Sequence, residues 1–173
     1  MLPQLTLVIG GASSGKSLWA ERLILAQNIA PFYIATAQSF DSEMDNKIRA
    51  HKVQRGDGWT TIETPFDAAS KLADIPNAHP VLFDCATLWL TNHLVADHDL
   101  PTQEDALLVA LSDCKGPVVI VSNEVGAGIV PENPLSRRFR DAQGKLNQRL
   151  ATEADLVVTI IAGLPLVLKG SLP

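Results

Sequence analysis

Short runs of aliphatic residues alternate along this chain with longer segments whose apolar positions recur at helical spacing. The aliphatic runs predict strands at residues 5–9, 32–35, 60–63, 81–83, 118–121 and 156–161. The helical spacing predicts helices at residues 17–27, 42–55, 88–95, 104–113 and 134–151. Because the aliphatic runs are continuous, the strands should be buried on both sides, in a mostly parallel sheet with helices on both faces. We therefore predict an α/β fold in which residues 1–173 form a single domain.

The composition narrows the classes of partner. Hydrophobic residues make up 46% of the 173 residues and charged residues 19%, which is typical of a folded globular protein. The formal net charge of -5 argues against the broad basic surface of a nucleic-acid-binding protein. A bound anion would therefore be held by local groups, such as loop amides, a helix N-terminus and a few basic side chains.

The cysteines and histidines do not have the spacing of a metal centre. Cys85 and Cys114 lie far apart and outside any Cys-x-x-Cys pair, which predicts free thiols in a reducing compartment. His79, His93 and His98 lack neighbouring ligands at zinc-site spacing, so we interpret them as ordinary polar residues. The start of the chain lacks the basic region of a signal peptide, and no apolar run approaches the ~20 residues of a membrane span. We expect a cytoplasmic protein.

A glycine-rich loop follows the first predicted strand and precedes the first predicted helix. Its residues match the phosphate-binding pattern G-x-x-x-x-G-K-S and are Gly10, Gly11, Ala12, Ser13, Ser14, Gly15, Lys16 and Ser17. The glycines permit backbone angles at which successive amides point at phosphate oxygens, and the helix adds its positive end. Lys16 can reach the β and γ phosphates, and the Ser17 hydroxyl can bind Mg²⁺. We call residues 10–17 the phosphate loop.

Asp84 comes directly after the aliphatic run at residues 81–83. A carboxylate at the end of a buried strand can approach Mg²⁺ directly or through water. The alternative is an N-cap for the helix that begins near Thr87.

His51 lies in the predicted helix at residues 42–55, on the same face as the apolar Ile48. That spacing by itself favours a core histidine. Lys52 and Arg55, however, place cations beside it, which suits a phosphate-bearing ligand and keeps the imidazole neutral. Neutral imidazole is a nucleophile that could attack phosphorus and form a phosphoramidate.

Several segments in this order resemble the bifunctional adenosylcobinamide kinase/adenosylcobinamide-phosphate guanylyltransferase family of cobalamin biosynthesis. The matching segments are residues 10–17, 33–38, 48–55, 59–63, 84–92, 122–133 and 139–149. They cover nearly the whole chain, and residues 123–133 are far more specific than the phosphate loop. The resemblance implies a P-loop NTPase fold of the RecA type.

The resemblance also implies the two reactions. The family phosphorylates adenosylcobinamide with ATP or GTP and then transfers GMP from GTP to that phosphate, giving adenosyl-GDP-cobinamide and pyrophosphate. The nucleophile that carries GMP matches His51. We expect Lys16 to be catalytic as well, because it can stabilise charge on the departing phosphates. By the same resemblance, members are homo-oligomers, trimers in the best-known case.

Family nucleotide contacts match residues throughout the first half of this chain. Beyond the phosphate loop they are Ala35, Thr36, Ala37, Lys52, Val53, Gln54, Arg55, Glu63 and Asp84. Of these contacts, Ser17 and Asp84 are the two residues that we expect to bind Mg²⁺. Two positions depart from the usual family residues, since Ser13 replaces an arginine and Gly56 replaces a proline. Neither departure changes Lys16 or His51, the two expected catalytic residues.

Other functions remain compatible with the phosphate loop alone. The chain could be a plain small-molecule kinase in which His51 is structural, or a RecA-type nucleotide-driven switch that acts through a partner surface. The sequence also leaves open the preferred phosphate donor, the corrinoid-binding residues and the base of the kinase step.

Overall fold

A computed structural model describes residues 2–39, 49, 52, 53 and 56–173. Its strands are β1 Leu5–Gly10, β2 Phe32–Ala35, β3 Thr60–Glu63, β4 Val81–Asp84, β5 Val118–Asn123, β6 Leu156–Ile161 and β7 Leu164–Lys169. Its helices are α1 Lys16–Leu25, α2 Ala68–Ala73, α3 Ala86–Val95, α4 Leu100–Asp113 and α5 Pro134–Glu153. Most of the predicted helix at residues 42–55 falls outside the described residues. The three residues of this segment that are described, Arg49, Lys52 and Val53, are helical.

The strands form one sheet in the order β3-β2-β4-β5-β1-β6-β7. Neighbouring strands from β3 to β6 are parallel, and only β7 pairs antiparallel with β6. This confirms the predicted mostly parallel sheet. The strands nearest the centre, β5, β1 and β4, are also the most buried, as expected for strands covered on both faces.

Alternation of side chains along the strands divides the core into two clusters. One cluster contains Leu7, Phe83 and Ile120 and packs against helices α2 to α5. The other contains Val8 and Val121 and packs against α1. We call these sides the α5 face and the α1 face of the sheet. Helices therefore cover both faces, as the continuous aliphatic runs predict.

Helix α2 and strand β7 were not predicted. Helix α2 has only six residues, too few for a helical period to be read from its sequence. Strand β7 carries Pro165, which counts against a strand when only the sequence is read, and the structure leaves every one of its residues exposed. Its position at the edge of the sheet explains how it tolerates a proline.

The described part of the chain contains no helix that is both long and apolar enough to cross a membrane.

Replacing Ile120 with alanine should lower the free energy of unfolding by about 2–5 kcal/mol, because a fully buried side chain would leave a cavity. Chemical denaturation followed by circular dichroism measures this difference. Val109→Ala on α4 is the matched control, since Val109 is 61% exposed. It should change the same quantity by less than about 0.5 kcal/mol. Equal losses in both variants would contradict the assignment of the core.

Candidate active site

Because the strands are parallel, those that carry the predicted site residues all end at the same edge of the sheet. Ala35 at the end of β2 pairs with Glu63 on β3 and with Asp84 on β4. Gly10 at the end of β1 pairs with Asn123 on β5. In an open α/β sheet, ligands bind outside this carboxyl edge. Candidate residues from four separate parts of the sequence thus meet at one edge of the sheet.

The phosphate loop joins β1 to α1 through left-handed backbone. Ser13 has φ 55° and Gly15 has φ 91°, and Gly15 is the N-cap of α1. A Cβ on Gly10 would collide with Ser14 Oγ and lie 2.9 Å from the Ile160 carbonyl oxygen. Glycine at positions 10 and 15 is therefore required by close approach and by backbone angle.

The turn between β6 and β7 supports the phosphate loop from outside. The Gly163 N–H donates to the Ser14 carbonyl oxygen at 2.9 Å. A Cβ on Gly15 would lie 3.2 Å from the Gly163 Cα. This contact was not foreseen from the sequence, because β7 itself was not predicted.

Lys16 lies over the loop that precedes it. Its Nζ donates to the Gly11 carbonyl oxygen at 3.0 Å. Desolvation lowers the pKa of Lys16, and interactions with Cys85 and Asp84 act in the opposite direction. A bound polyphosphate would add negative charge beside the ammonium and favour its protonated form.

Asp84 ends β4 with its carboxylate on the α1 face. Its Oδ2 accepts a hydrogen bond from the Tyr33 hydroxyl at 2.7 Å. The N-cap of α3 is Cys85, whose Sγ accepts from the Leu88 N–H at 3.5 Å. Asp84 is therefore not the cap of this helix, and its second carboxylate oxygen makes no hydrogen bond within the described part of the chain. The Asp84–Cys85 peptide bond is cis.

Thr36, a predicted nucleotide contact, is fully buried and bound to Cys85. Its Oγ1 accepts from the Cys85 N–H and donates to the Cys85 carbonyl oxygen, both at 2.8 Å. Asn92 Nδ2 donates to the Thr36 carbonyl oxygen at 2.8 Å. Thr36 thus holds the junction of β4 and α3, while its neighbours Ala35 and Ala37 are only half-buried.

Comparison of the chain with known proteins identifies its family. A family model described as cobinamide kinase / cobinamide phosphate guanyltransferase matches residues 6–168. The chain belongs to this family. Membership confirms the enzyme activities expected from the sequence, with a cobinamide compound as the substrate.

Curated relatives match over almost their full length. The chain is 44% identical to the bifunctional adenosylcobalamin biosynthesis protein CobP of Pseudomonas aeruginosa, covering 95% of this chain and 96% of that protein. It is 41% identical to CobU of Salmonella typhimurium and 39% identical to CobU of Escherichia coli. Each of these two matches covers 94% of this chain and 98% of the relative.

Solved structures confirm the RecA-like fold. The flagellar accessory protein FlaH of Methanocaldococcus jannaschii aligns with a TM-score of 0.54 at 14% identity, over 98% of this chain and 80% of that one. The RadB recombinase aligns with a TM-score of 0.52 at 16% identity, over 91% and 74% of the two chains. At such identities the likeness concerns the fold alone.

A cavity borders the site beside β3. It has a volume of about 450 Å³ and is lined by Lys52, Gly56, Asp57, Trp59, Thr61 and Glu63. Lys52 Nζ lies 2.6 Å from Glu63 Oε1, with both side chains largely exposed. Trp59 packs edge-on against Tyr33, with ring centroids 5.8 Å apart. Because Tyr33 also binds Asp84, the cavity is coupled to the phosphate side of the site.

Three of the sequence-predicted site residues, His51, Gln54 and Arg55, lie outside the described residues. Of the segment around them, Lys52 contacts Glu63 as expected for two residues of one site, whereas the Val53 side chain is 82% exposed. The predicted roles of these residues stay predictions.

The cysteines are free, buried thiols, as predicted. Burial, reinforced by the charge of Asp84, raises the pKa of Cys85 to about 12. Cys85 is therefore a neutral thiol and not a nucleophile, although it borders Asp84. Among the residues described, no group of three or more His, Cys, Asp or Glu side chains could hold a metal ion.

Replacing Gly15 with alanine should lower the free energy of unfolding by about 1–2 kcal/mol, because an L-residue would be forced into the left-handed region. Gly11→Ala is the matched control in the same loop. A Cβ at Gly11 would meet nothing within 4 Å, so its effect on stability should be small. Thermal and urea unfolding of the two variants measures the contrast. Similar stability of both variants would show that the loop does not require this backbone geometry.

Proposed function

We propose that the chain acts as one domain that first phosphorylates adenosylcobinamide with ATP or GTP. The same domain then transfers GMP from GTP to the new phosphate through an intermediate on His51. The observation that carries the proposal is the shared carboxyl edge, where Glu63 with its partner Lys52, Asp84 and the phosphate loop lie at the ends of β3, β4 and β1 of one sheet. Family membership supports both reactions.

The triphosphate would lie on the phosphate loop. The amides of residues 10–17, the first turn of α1 and Lys16 supply positive charge toward its oxygens. Lys16 Nζ, now on the Gly11 carbonyl oxygen, would turn to the β and γ phosphates. The cavity beside Lys52, Trp59 and Glu63 would take the nucleoside portion, with the nucleotide contacts at residues 35–37 lying between the two.

Mg²⁺ fits the oxygen donors of this edge. Ser17 lies in the first turn of α1, and Asp84 ends β4 on the same face of the sheet. Hard oxygen ligands of this kind, completed by phosphate oxygens and water, suit Mg²⁺. When bound, the ion would neutralise charge on the departing phosphates.

In the transfer step, the imidazole of His51 would attack Pα of GTP. A nitrogen–phosphorus bond forms as the bond from Pα to the bridging oxygen breaks, and pyrophosphate leaves with that electron pair. The phosphate of adenosylcobinamide phosphate then attacks Pα, which releases His51 and gives adenosyl-GDP-cobinamide. Lys52, which follows His51 in sequence, contacts Glu63 at this edge, and this contact supports placing the reaction here.

His51→Ala should abolish protein labelling from GTP carrying ³²P at Pα, because no imidazole remains to form the phosphoramidate. The wild-type label should be stable in alkali and lost in acid, and GTP labelled at Pγ should leave none. Denaturing gels after a chase with unlabelled GTP measure both results.

His79→Ala is the matched control, since His79 is half-buried just before β4, at the opposite end of that strand from Asp84, and its ring contacts the Ala30 carbonyl oxygen and Phe32. It should label like the wild type. Wild-type protein that phosphorylates adenosylcobinamide but takes no α-label would instead indicate a plain kinase. Loss of both activities would favour a nucleotide-driven switch.

We also propose a homo-oligomer, with a trimer as the expected form, in the cytoplasm and without a nucleic-acid partner. Support comes from apolar side chains that strand β7 leaves exposed: Leu164 at 71%, Leu166 at 55% and Leu168 at 60%. Exposed edge strands of this composition are usually covered. The two free cysteines support the cytoplasmic location, and the net charge of -5 supports the lack of a nucleic-acid partner.

Leu166→Lys should shift the oligomer toward monomer, because it would bury a charge in the proposed interface. Sedimentation velocity at several protein concentrations measures the shift. Lys145→Leu on α5 serves as a control for altered surface charge and should leave the distribution unchanged. A wild-type protein that sediments as a monomer at all concentrations would contradict the proposal.

A further inference from the structure

A buried polar network lies beneath the end of β5. Ser122, Gln143 and Asn147 are buried, at 0%, 0% and 7% exposure. Ser122 Oγ donates to Asn147 Oδ1 at 2.6 Å, and Gln143 Nε2 donates to both of these oxygens at 2.9 Å. Burying polar groups beside an aliphatic strand is costly unless they are well paired. The network thus indicates that a particular geometry is maintained at this point.

That geometry is the backbone of Asn123. Asn147 Nδ2 donates to the Asn123 carbonyl oxygen at 3.1 Å, and the Asn123 N–H donates to Thr87 Oγ1 at 2.8 Å. The next N–H, that of Glu124, donates to the Gly10 carbonyl oxygen at 3.1 Å. Three parts of the structure, α5, α3 and the phosphate loop, therefore fix the main chain at Asn123.

The direction of the Asn123 side chain follows from alternation along β5. Ser122 points to the α5 face, where it binds Asn147. Asn123 therefore points to the α1 face, as Val121 does. Asp84 on β4 points the same way, since it binds Tyr33 of the α1-face cluster. The Asn123 amide and the Asp84 carboxylate thus share the face from which the phosphate loop enters α1.

The Asn123 amide is half-buried and makes no hydrogen bond to another described residue. Its strand lies between β1, which carries the phosphate loop, and β4, which carries Asp84. A main chain fixed on both sides, with an unused amide donor between these two groups, is the arrangement of a ligand contact rather than of a structural residue.

We propose that Asn123 is a catalytic residue of the kinase step, donating a hydrogen bond from Nδ2 to the γ-phosphoryl group. Ser122, Gln143 and Asn147 are its positioning residues. The proposal rests on the proposed function, because it assigns a contact at the same site. The substrate hydroxyl oxygen bonds to Pγ as the bond from Pγ to the bridging oxygen breaks. The nucleoside diphosphate leaves with that electron pair, and the hydroxyl proton passes to solvent water. Asn123 gains and loses no covalent bond; it stabilises charge on the transferred oxygens.

The test compares two reactions of the same variant. Asn123→Ala should lower kcat for phosphorylation of adenosylcobinamide by about 100-fold, the effect of losing one fixed donor in a transition state. The KM for the nucleotide should change little. Protein labelling from GTP carrying ³²P at Pα should slow by less than about 10-fold, since the γ-phosphate belongs there to the leaving group.

Asn123→Asp keeps the shape of the side chain and tests the charge. Its carboxylate would repel the γ-phosphate, so kinase activity should fall at least as far as in the alanine variant while the protein stays folded. Asn77→Ala, at an exposed turn away from the site, is the matched control and should leave both rates unchanged.

Asn147→Leu tests the positioning residues. It should lower kinase kcat by about 10-fold and leave the rate of α-labelling nearly unchanged, because the Asn123 carbonyl loses its donor. A residue with a purely structural role would lower the melting temperature without changing the ratio of the two rates.

Equal losses of phosphorylation and labelling in Asn123→Ala, or no loss of phosphorylation, would overturn the inference. So would an Asn123→Asp variant with kinase activity like that of the wild type. Failure of the proposed function has a different signature: the wild-type protein itself would then make no adenosylcobinamide phosphate. In that case the contact proposed for Asn123 is overturned with it.

Discussion

Parallel pairing of β4, β5 and β1 is the constraint on which the site depends. It aligns the carboxyl ends of strands that lie far apart in sequence, so that Asp84, Asn123 and Gly10 reach one edge. The strands can pair this way because their residues are apolar on both faces and are covered by α1 on one side and by α2 to α5 on the other. Apolar burial thus determines where the polar chemistry occurs.

At that edge the backbone is held in unusual conformations by contacts from neighbouring elements. The phosphate loop contains left-handed backbone at Ser13 and Gly15, and the turn at Gly163 binds it from outside. The junction between β4 and α3 is held by the reciprocal pair of Thr36 and Cys85. These contacts keep amides and carboxylates in place before any ligand arrives, which reduces the cost of reorganisation during catalysis.

The charges of the site are mutually dependent. Lys16 is partly desolvated, and its ammonium is favoured by the carboxylate of Asp84. Asp84 in turn is held by Tyr33, whose ring packs against Trp59 in the cavity proposed for the nucleoside. The phosphate side and the nucleoside side therefore share one chain of contacts. In contrast, Cys85 is kept neutral by burial and contributes only a helix cap.

The sequence by itself determined the parallel sheet, the phosphate loop and the position of Asp84, because aliphatic runs and the glycine pattern are local signals. It also carried the family resemblance, which chain comparison confirmed. Only the tertiary structure decided that Thr36 supports Cys85, that Gly163 braces the loop, and that the buried network of Ser122, Gln143 and Asn147 holds Asn123. Their partners are distant in sequence or, as with Gly163, lie beside the edge strand β7, in which a proline counts against a strand prediction. Hydrogen bonds between such residues depend on packing in three dimensions, and no local period in the sequence encodes them.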